Sequence, residues 1–176
     1  VYVRTLAKAR QKFDAICILE RGSTHIEEQK RILDLIKEHN SQSSTVPLSH
    51  VARELKGYQL ADRIVVPSLH AEDSFIGRGI PQEKIFRNPY GADLGMFTPD
   101  HKIERDPRLI LFVGSWSYQK GVDLLASTMA ELAEAGFRLV HIGTRGDAPF
   151  PREAWFHSQG HVDQSSLPEW YKRALC

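Results

Sequence analysis

Short apolar runs alternate along the chain with stretches whose apolar residues recur at helical spacing. Ala15-Ile16-Cys17-Ile18-Leu19 is a continuous apolar run of strand length. Thr24 and Glu27 have the spacing of a capping box, which predicts a helix opening at Thr24 and running to about His39. Ile26, Ile32, Leu33 and Ile36 supply its apolar stripe. A polar loop, Asn40 to Thr45, precedes a second helix with Val51, Leu55 and Tyr58 on one face and Ser49 as candidate N-cap. Ile64-Val65-Val66 reads as a buried strand ended by Pro67. Ser68 is placed to cap the next helix, which Gly79-Ile80-Pro81 breaks. Ile85-Phe86 is a brief strand, and Asn88-Pro89-Tyr90-Gly91 is a turn.

The pattern is interrupted once. From Thr98 to Arg108 the residues are mostly Pro, Asp, His, Lys and Arg, with Ile103 the one apolar residue. The chain therefore divides into a first domain over 1–98, a linker over 99–108 and a second domain over 109–176. The second part restarts with Leu109-Ile110-Leu111-Phe112-Val113, the most strand-like run in the chain. A helix from about Val122 to Ala135 follows, with Leu125, Met129 and Leu132 on its stripe and Gly136 as its C′ residue. Leu139-Val140-His141-Ile142 completes a βαβ unit, so its two strands should run parallel. Phe156 to Val162 is a further short strand, and Ser166 and Glu169 should cap a last helix with Pro168 in its first turn. Strands buried on both faces and alternating with helices predict an α/β fold: two doubly wound, parallel-sheet halves. In such folds ligands sit at the carboxyl ends of strands, here after Leu19, Val66, Val113, Ile142 and Val162.

Composition narrows the classes. Among 176 residues, 41% apolar and 26% charged is the balance of a globular protein, and 23 Lys+Arg against 22 Asp+Glu leaves a net charge of +1. That near-neutrality gives no reason to expect nucleic-acid binding. No apolar run reaches the roughly 20 residues a membrane span needs. Two cysteines, Cys17 and Cys176, form no disulfide framework and predict a reducing, cytoplasmic setting. Val1 in place of Met, and Trp170 to Cys176 reading as a helix without a stop signal, predict an internal piece of a longer protein.

Two loops carry candidate chemistry. Gly114-Ser115-Trp116-Ser117-Tyr118-Gln119-Lys120-Gly121 leaves the strongest strand and enters a helix. A strand-exit glycine lets a ligand approach the backbone, and Lys120 adds a full charge where helix N–H groups already favour an anion. A solvated lysine before a glycine turn is the other reading of the same residues. The spacing is neither that of a P-loop nor GxGxxG. Glu20-Arg21-Gly22-Ser23-Thr24-His25 likewise lies at a strand's carboxyl end and runs into a helix. His39, His50, His70, His101, His141, His157 and His161 show no metal-ligand spacing, and no metal site is expected.

In order, Arg63 to Ser68, Ile85 to Asp93, Met96-Phe97, Leu111 to Gly114 with Lys120-Gly121, Leu139 to Gly146 and Gly160 to Asp163 resemble family 4 of the retaining nucleotide-sugar glycosyltransferases. The resemblance runs from about Ile16 onward. It implies a GT-B-like architecture, with parts of two Rossmann-like domains. Gly114, Ser115 and Lys120 match the donor-diphosphate loop, although the family usually has arginine where Ser115 stands, so one of two phosphate cations is missing. Gly143 and Arg145, with His161 and Val162, match the segments beside the nucleotide, and Arg145 could replace the missing charge. Arg21 and Ser23 fall on the acceptor side, and His25 matches a histidine contacting the reacting sugar; a plain place in a helix's first turn is the other reading of His25. Asn88 to Asp93 resembles the turn that ends the family's first domain.

The resemblance further implies transfer of a sugar from a nucleotide-sugar donor to a sugar, lipid-linked or other hydroxyl acceptor, with retention. It implies no cofactor and no metal requirement, with peripheral membrane contact where the acceptor is a lipid. The family's pair of glutamates seven residues apart does not occur between Trp170 and Cys176. This piece alone is therefore expected to be inactive. A sugar-nucleotide epimerase of the same architecture, and a non-catalytic module that kept the fold, are the alternatives.

Overall fold

The computed structural model describes residues 2–41, 43–100 and 102–176. Gln42, within the polar loop expected at 40–45, and His101, among the histidines without metal spacing, lie outside the described residues, as does Val1. The chain forms two compact units, Val1–Glu38 with Thr45–Gly91, and His39–Ser44 with Ala92–Cys176.

The first unit holds a three-stranded parallel sheet in the order β1 (Ile18–Glu20), β2 (Arg63–Val66), β3 (Ile85–Arg87). The register puts Leu19 opposite Ile64 and Ile64 opposite Ile85. That row and Val66 face a core built from α2 (Ile26–His39), α3 (Leu48–Leu60) and α4 (Leu69–Ile76), through Ile26, Leu33, Val51, Tyr58 and Phe75. The opposite face leaves Ile18 61% and Phe86 60% exposed. The expectation of strands buried on both faces therefore fails for this sheet, whose outward row also carries Glu20 and Arg63. β1 starts later than the run from Ala15 suggests. The N–H of Cys17 donates to Asp62 Oδ2 at 2.8 Å, and its carbonyl accepts from Asp62 N–H at 2.7 Å, so Cys17 is tied to the turn before β2. A helix that the sequence reading did not place, α1 (Tyr2–Phe13), packs on α3 with Tyr2, Val3, Leu6 and Ala9 half-buried; none of its residues is fully buried.

The helix starts test the capping signals one by one. Ser68 caps α4, its Oγ accepting from Ala71 N–H at 3.2 Å, as expected. Thr24 does not open α2; that helix begins at Ile26, and His25 occupies the cap. Ser49 lies inside the first turn of α3, which starts after Pro47, a residue with the extended geometry of an N-cap.

The second unit holds β4 (Leu109–Val113), β5 (Arg138–Ile142) and β6 (Phe156–Gly160), all parallel and in that order. Both faces of this sheet are covered. Ile110, Phe112, Leu139 and Phe156 pack against Val122 and Met129 of α5 (Val122–Glu134). Leu109, Leu111, Val140 and Ile142 pack with Leu167 and Trp170 of α6 (Leu167–Arg173). Gly136 follows α5 at φ +82°, as its C′ role requires. Pro168 sits in the first turn of α6, but Ser166 has helical backbone angles and its side chain makes no capping bond.

The last helix does not continue to Cys176. After Arg173 the chain straightens beside β4: Leu175 N–H donates to the Leu109 carbonyl, and Leu111 N–H to the Cys176 carbonyl, both at 2.8 Å. β4 thus has β5 on one side and residues 174–176 on the other. The chain reaches those two sides by opposite turns, so the exit of β4 is the point where strand order reverses. No helix among the described residues is long and apolar enough to cross a membrane.

Candidate functional site

Three glycines stand at the carboxyl end of the second sheet: Gly114 (φ +152°) after β4, Gly143 (φ +147°) after β5 and Gly160 (φ +70°) closing β6. Their backbones are linked in sequence across the sheet. Gly114 N–H donates to the Ile142 carbonyl at 2.9 Å, and Gly143 N–H to the Gly160 carbonyl at 2.8 Å. A side chain at Gly143 would lie on the Gly114 carbonyl, whose carbon would be 2.7 Å from the added Cβ. Only glycine lets the two exits come this close.

The loop after Gly114 is held by side chains that sequence reading assigned no role. Trp116 is buried; its backbone N–H donates to Thr144 O at 3.0 Å, and its indole Nε1–H to Pro149 O at 2.9 Å. Asp147 Oδ1 accepts from Tyr118 N–H at 3.0 Å. Residues Tyr118–Lys120 form one tight 3-10 turn, and Gly121 (φ +68°) turns the chain into α5. Because the N-cap of α5 is glycine, no side chain caps its first turn. Unpaired N–H groups and the positive end of the helix dipole are left there, beside Lys120. Lys120 is exposed, and its ammonium has no partner among the described residues.

Parallel strand order brings the second-half candidates to one end of one sheet. Gly114, Ser115 and Lys120 leave β4, Gly143 and Arg145 leave β5, and His161 and Val162 leave β6. Arg145 pairs in backbone with Trp116 of the β4 loop, and its guanidinium carbon lies 5.4 Å from the centre of the Phe150 ring. Ser115 and Val162 are half-buried, and Val162 packs towards α6. His161 is exposed. A cavity of about 670 Å³ between Phe97–Arg105 and α6, lined by Ile103, Pro168 and Tyr171 among others, takes no residue from these three loops.

In the first unit the strand ends are more closed. Tyr90 Oη donates to the Gly22 carbonyl at 3.2 Å and covers the exit of β1. Arg21 turns away, its Nη2 donating to Gln29 Oε1 and its Nε lying 3.9 Å from Glu54 Oε2. Ser23 is half-buried. His25 is 2% exposed, with its ring 5.0 Å from those of Tyr58 and Phe75. Its N–H donates to Ser74 Oγ at 2.9 Å, and its Nδ1 accepts from Glu27 N–H at 3.3 Å. Burial pushes the imidazole pKa below its ordinary 6.5, against the smaller opposing pull of Glu27. The ring is therefore neutral near pH 7, with Nε2 carrying the proton.

His141, buried beneath the glycines, and Ser158, half-buried beside it, complete the site; the signal for them was a histidine set inside an otherwise apolar strand. Among the described residues no group of three or more His, Cys, Asp or Glu could hold a metal ion. No protein-family model matches this sequence, and no curated protein matches it.

Proposed function

We propose that the second unit binds the diphosphate of a nucleotide-sugar, and that the chain is part of a retaining glycosyltransferase of GT-B-like architecture. The observation that carries this reading is the exit of β4: a glycine-capped helix N-terminus beside an unpaired lysine, at the point where strand order reverses. Breaking a glycosidic bond leaves a nucleoside diphosphate whose negative charge grows through the transition state. In this reading the uncapped N–H groups of α5 and the exposed Lys120 ammonium would meet that charge. Ser115 contributes a hydroxyl in place of a second cation. Gly143, Arg145, His161 and Val162 border the nucleoside. On the acceptor side the reading rests on Ser23; Arg21, turned onto Gln29 and Glu54, and His25, buried against Tyr58 and Phe75, are not assigned an acceptor contact.

The test is calorimetric titration of the chain with UDP and with GDP, before and after Lys120→Ala. A charge-assisted contact is worth about 1.5–3 kcal/mol, so affinity should fall about ten- to hundredfold. Unchanged affinity removes Lys120 from the site. A non-catalytic module is the second reading, favoured by Ser115 in place of a cation; it predicts binding of the same probes by the chain and no sugar transfer by the longer protein of which the chain would be a part.

A further inference from the structure

His141 lies in the middle of β5 with no exposed surface. Its ring is stacked between Phe112 (5.8 Å, 28°), its cross-strand neighbour on β4, and Phe156 (6.3 Å, 15°), diagonal to it on β6, where Ser158 is its direct partner. A histidine at that depth must satisfy both ring nitrogens, and it does so in one direction. Nε2 is 2.9 Å from the Gly114 carbonyl, and Nδ1 is 2.9 Å from Ser158 Oγ. A carbonyl only accepts, so Nε2 carries the proton. Nδ1 then accepts from the Ser158 hydroxyl, whose oxygen accepts from Gly160 N–H at 3.3 Å. Two side chains thus join the exit of β6 to the exit of β4 through β5.

The consequence lies at the next peptide. In a trans peptide the C=O and N–H point opposite ways. With the Gly114 carbonyl drawn down onto His141, the Ser115 N–H is turned away from the sheet interior. That N–H has no hydrogen-bond partner among the described residues, although Ser115 is half-buried. We propose that His141 and Ser158 are positioning residues: they lock the Gly114–Ser115 peptide so that the Ser115 N–H is presented to a phosphate oxygen of the bound diphosphate. This rests on the reading of the Gly114–Gly121 loop as the diphosphate site. It also accounts for Gly143, which must stay bare beside a carbonyl held in this orientation.

The experiment combines nitrogen-15 NMR of the histidine rings and the Ser115 amide with UDP titration of the whole chain. The wild-type His141 ring should show the Nε2–H tautomer; an Nδ1–H ring overturns the proposal. His141→Phe keeps the aromatic packing and removes both bonds. It should shift the Ser115 amide resonance and weaken UDP binding about tenfold or more, whereas His141→Gln, whose amide can still donate to Gly114, should stay within about threefold. Ser158→Ala takes away the donor to Nδ1 but leaves the Gly114 carbonyl holding the proton on Nε2, so the ring should keep its tautomer while the Ser115 amide resonance shifts and UDP binding weakens about threefold or more; an unmoved amide with unchanged UDP binding overturns the proposal. A His141→Phe protein that binds UDP as the wild type does, with the Ser115 amide unmoved, overturns the proposal. If His141→Phe does not fold, the wild-type tautomer and Ser158→Ala decide it. If the wild type binds neither UDP nor GDP, the diphosphate reading falls, and the tautomer and the Ser115 amide still decide whether the relay exists.

Discussion

Replacing Gly143 with alanine separates backbone crowding from ordinary glycine strain, because Gly121 supplies a matched control. Gly121 has φ +68° and nothing within 4 Å of an added Cβ. Gly121→Ala should therefore cost only the left-handed backbone, about 1–2 kcal/mol. Gly143 has φ +147°, which a side chain tolerates at about 1–3 kcal/mol. Its added Cβ also meets the Gly114 backbone, with the carbonyl carbon at 2.7 Å and the nitrogen at 3.2 Å. No flexible side chain can swing aside, so the exits of β4 and β5 must part. That loosens the bonds from Gly114 N–H to Ile142 O and from Trp116 N–H to Thr144 O, each worth about 1 kcal/mol. Gly143→Ala should thus cost about 3–5 kcal/mol. Urea unfolding followed by tryptophan fluorescence measures it cleanly, since Trp116, Trp155 and Trp170, the chain's 3 tryptophans, all lie in the second unit. If Gly143→Ala unfolds within about 0.5 kcal/mol of Gly121→Ala, the close approach of the two exits is wrong.

The remaining predictions concern the first unit and the exposed lysine. Ser68→Ala removes the acceptor for Ala71 N–H and should destabilise the first unit by about 1 kcal/mol, read from hydrogen exchange in α4. His25 has a folded-state pKa below its unfolded value. The first unit should therefore hold this contribution in full above pH about 6.5 and lose it as pH falls towards the folded-state pKa, because there the unfolded chain binds the extra proton. His25→Asn, whose Oδ1 can accept from Glu27 N–H, should flatten that slope in pH-dependent hydrogen exchange of α2; an unaltered slope assigns it to another group. Lys120→Ala should leave the urea midpoint of the second unit unchanged, since the side chain has no partner to lose.

What was legible in the sequence was local. The Ile64-Val65-Val66 and Leu109 to Val113 runs became strands, the βαβ spacing from Leu109 to Ile142 made β4 and β5 parallel, and Ser68 and Gly136 punctuated their helices as written. What failed depended on distant partners. α2 starts at His25's cap and not at Thr24, in a setting where the His25 N–H bonds to Ser74, 49 residues away. The final helix stops at Arg173 because the free edge of β4 captures Leu175, which no local signal announces. α1 does carry a stripe, Tyr2, Val3, Leu6 and Ala9 at helical spacing and half-buried, a signal the sequence reading passed over. The glycines of the site were visible as residues. Their mutual approach, and the histidine beneath them, belong to three strands at once and appear only when the sheet is assembled.

The claim on which the rest depends is that the carboxyl end of the second sheet holds a diphosphate group. Titrating the chain with UDP and with uridine, and with GDP and guanosine, in buffer free of divalent cations tests it directly. The account predicts that at least one diphosphate binds about tenfold or more tighter than its nucleoside, the margin an ammonium and free helix N–H groups would provide. Equal affinities for diphosphate and nucleoside would contradict it.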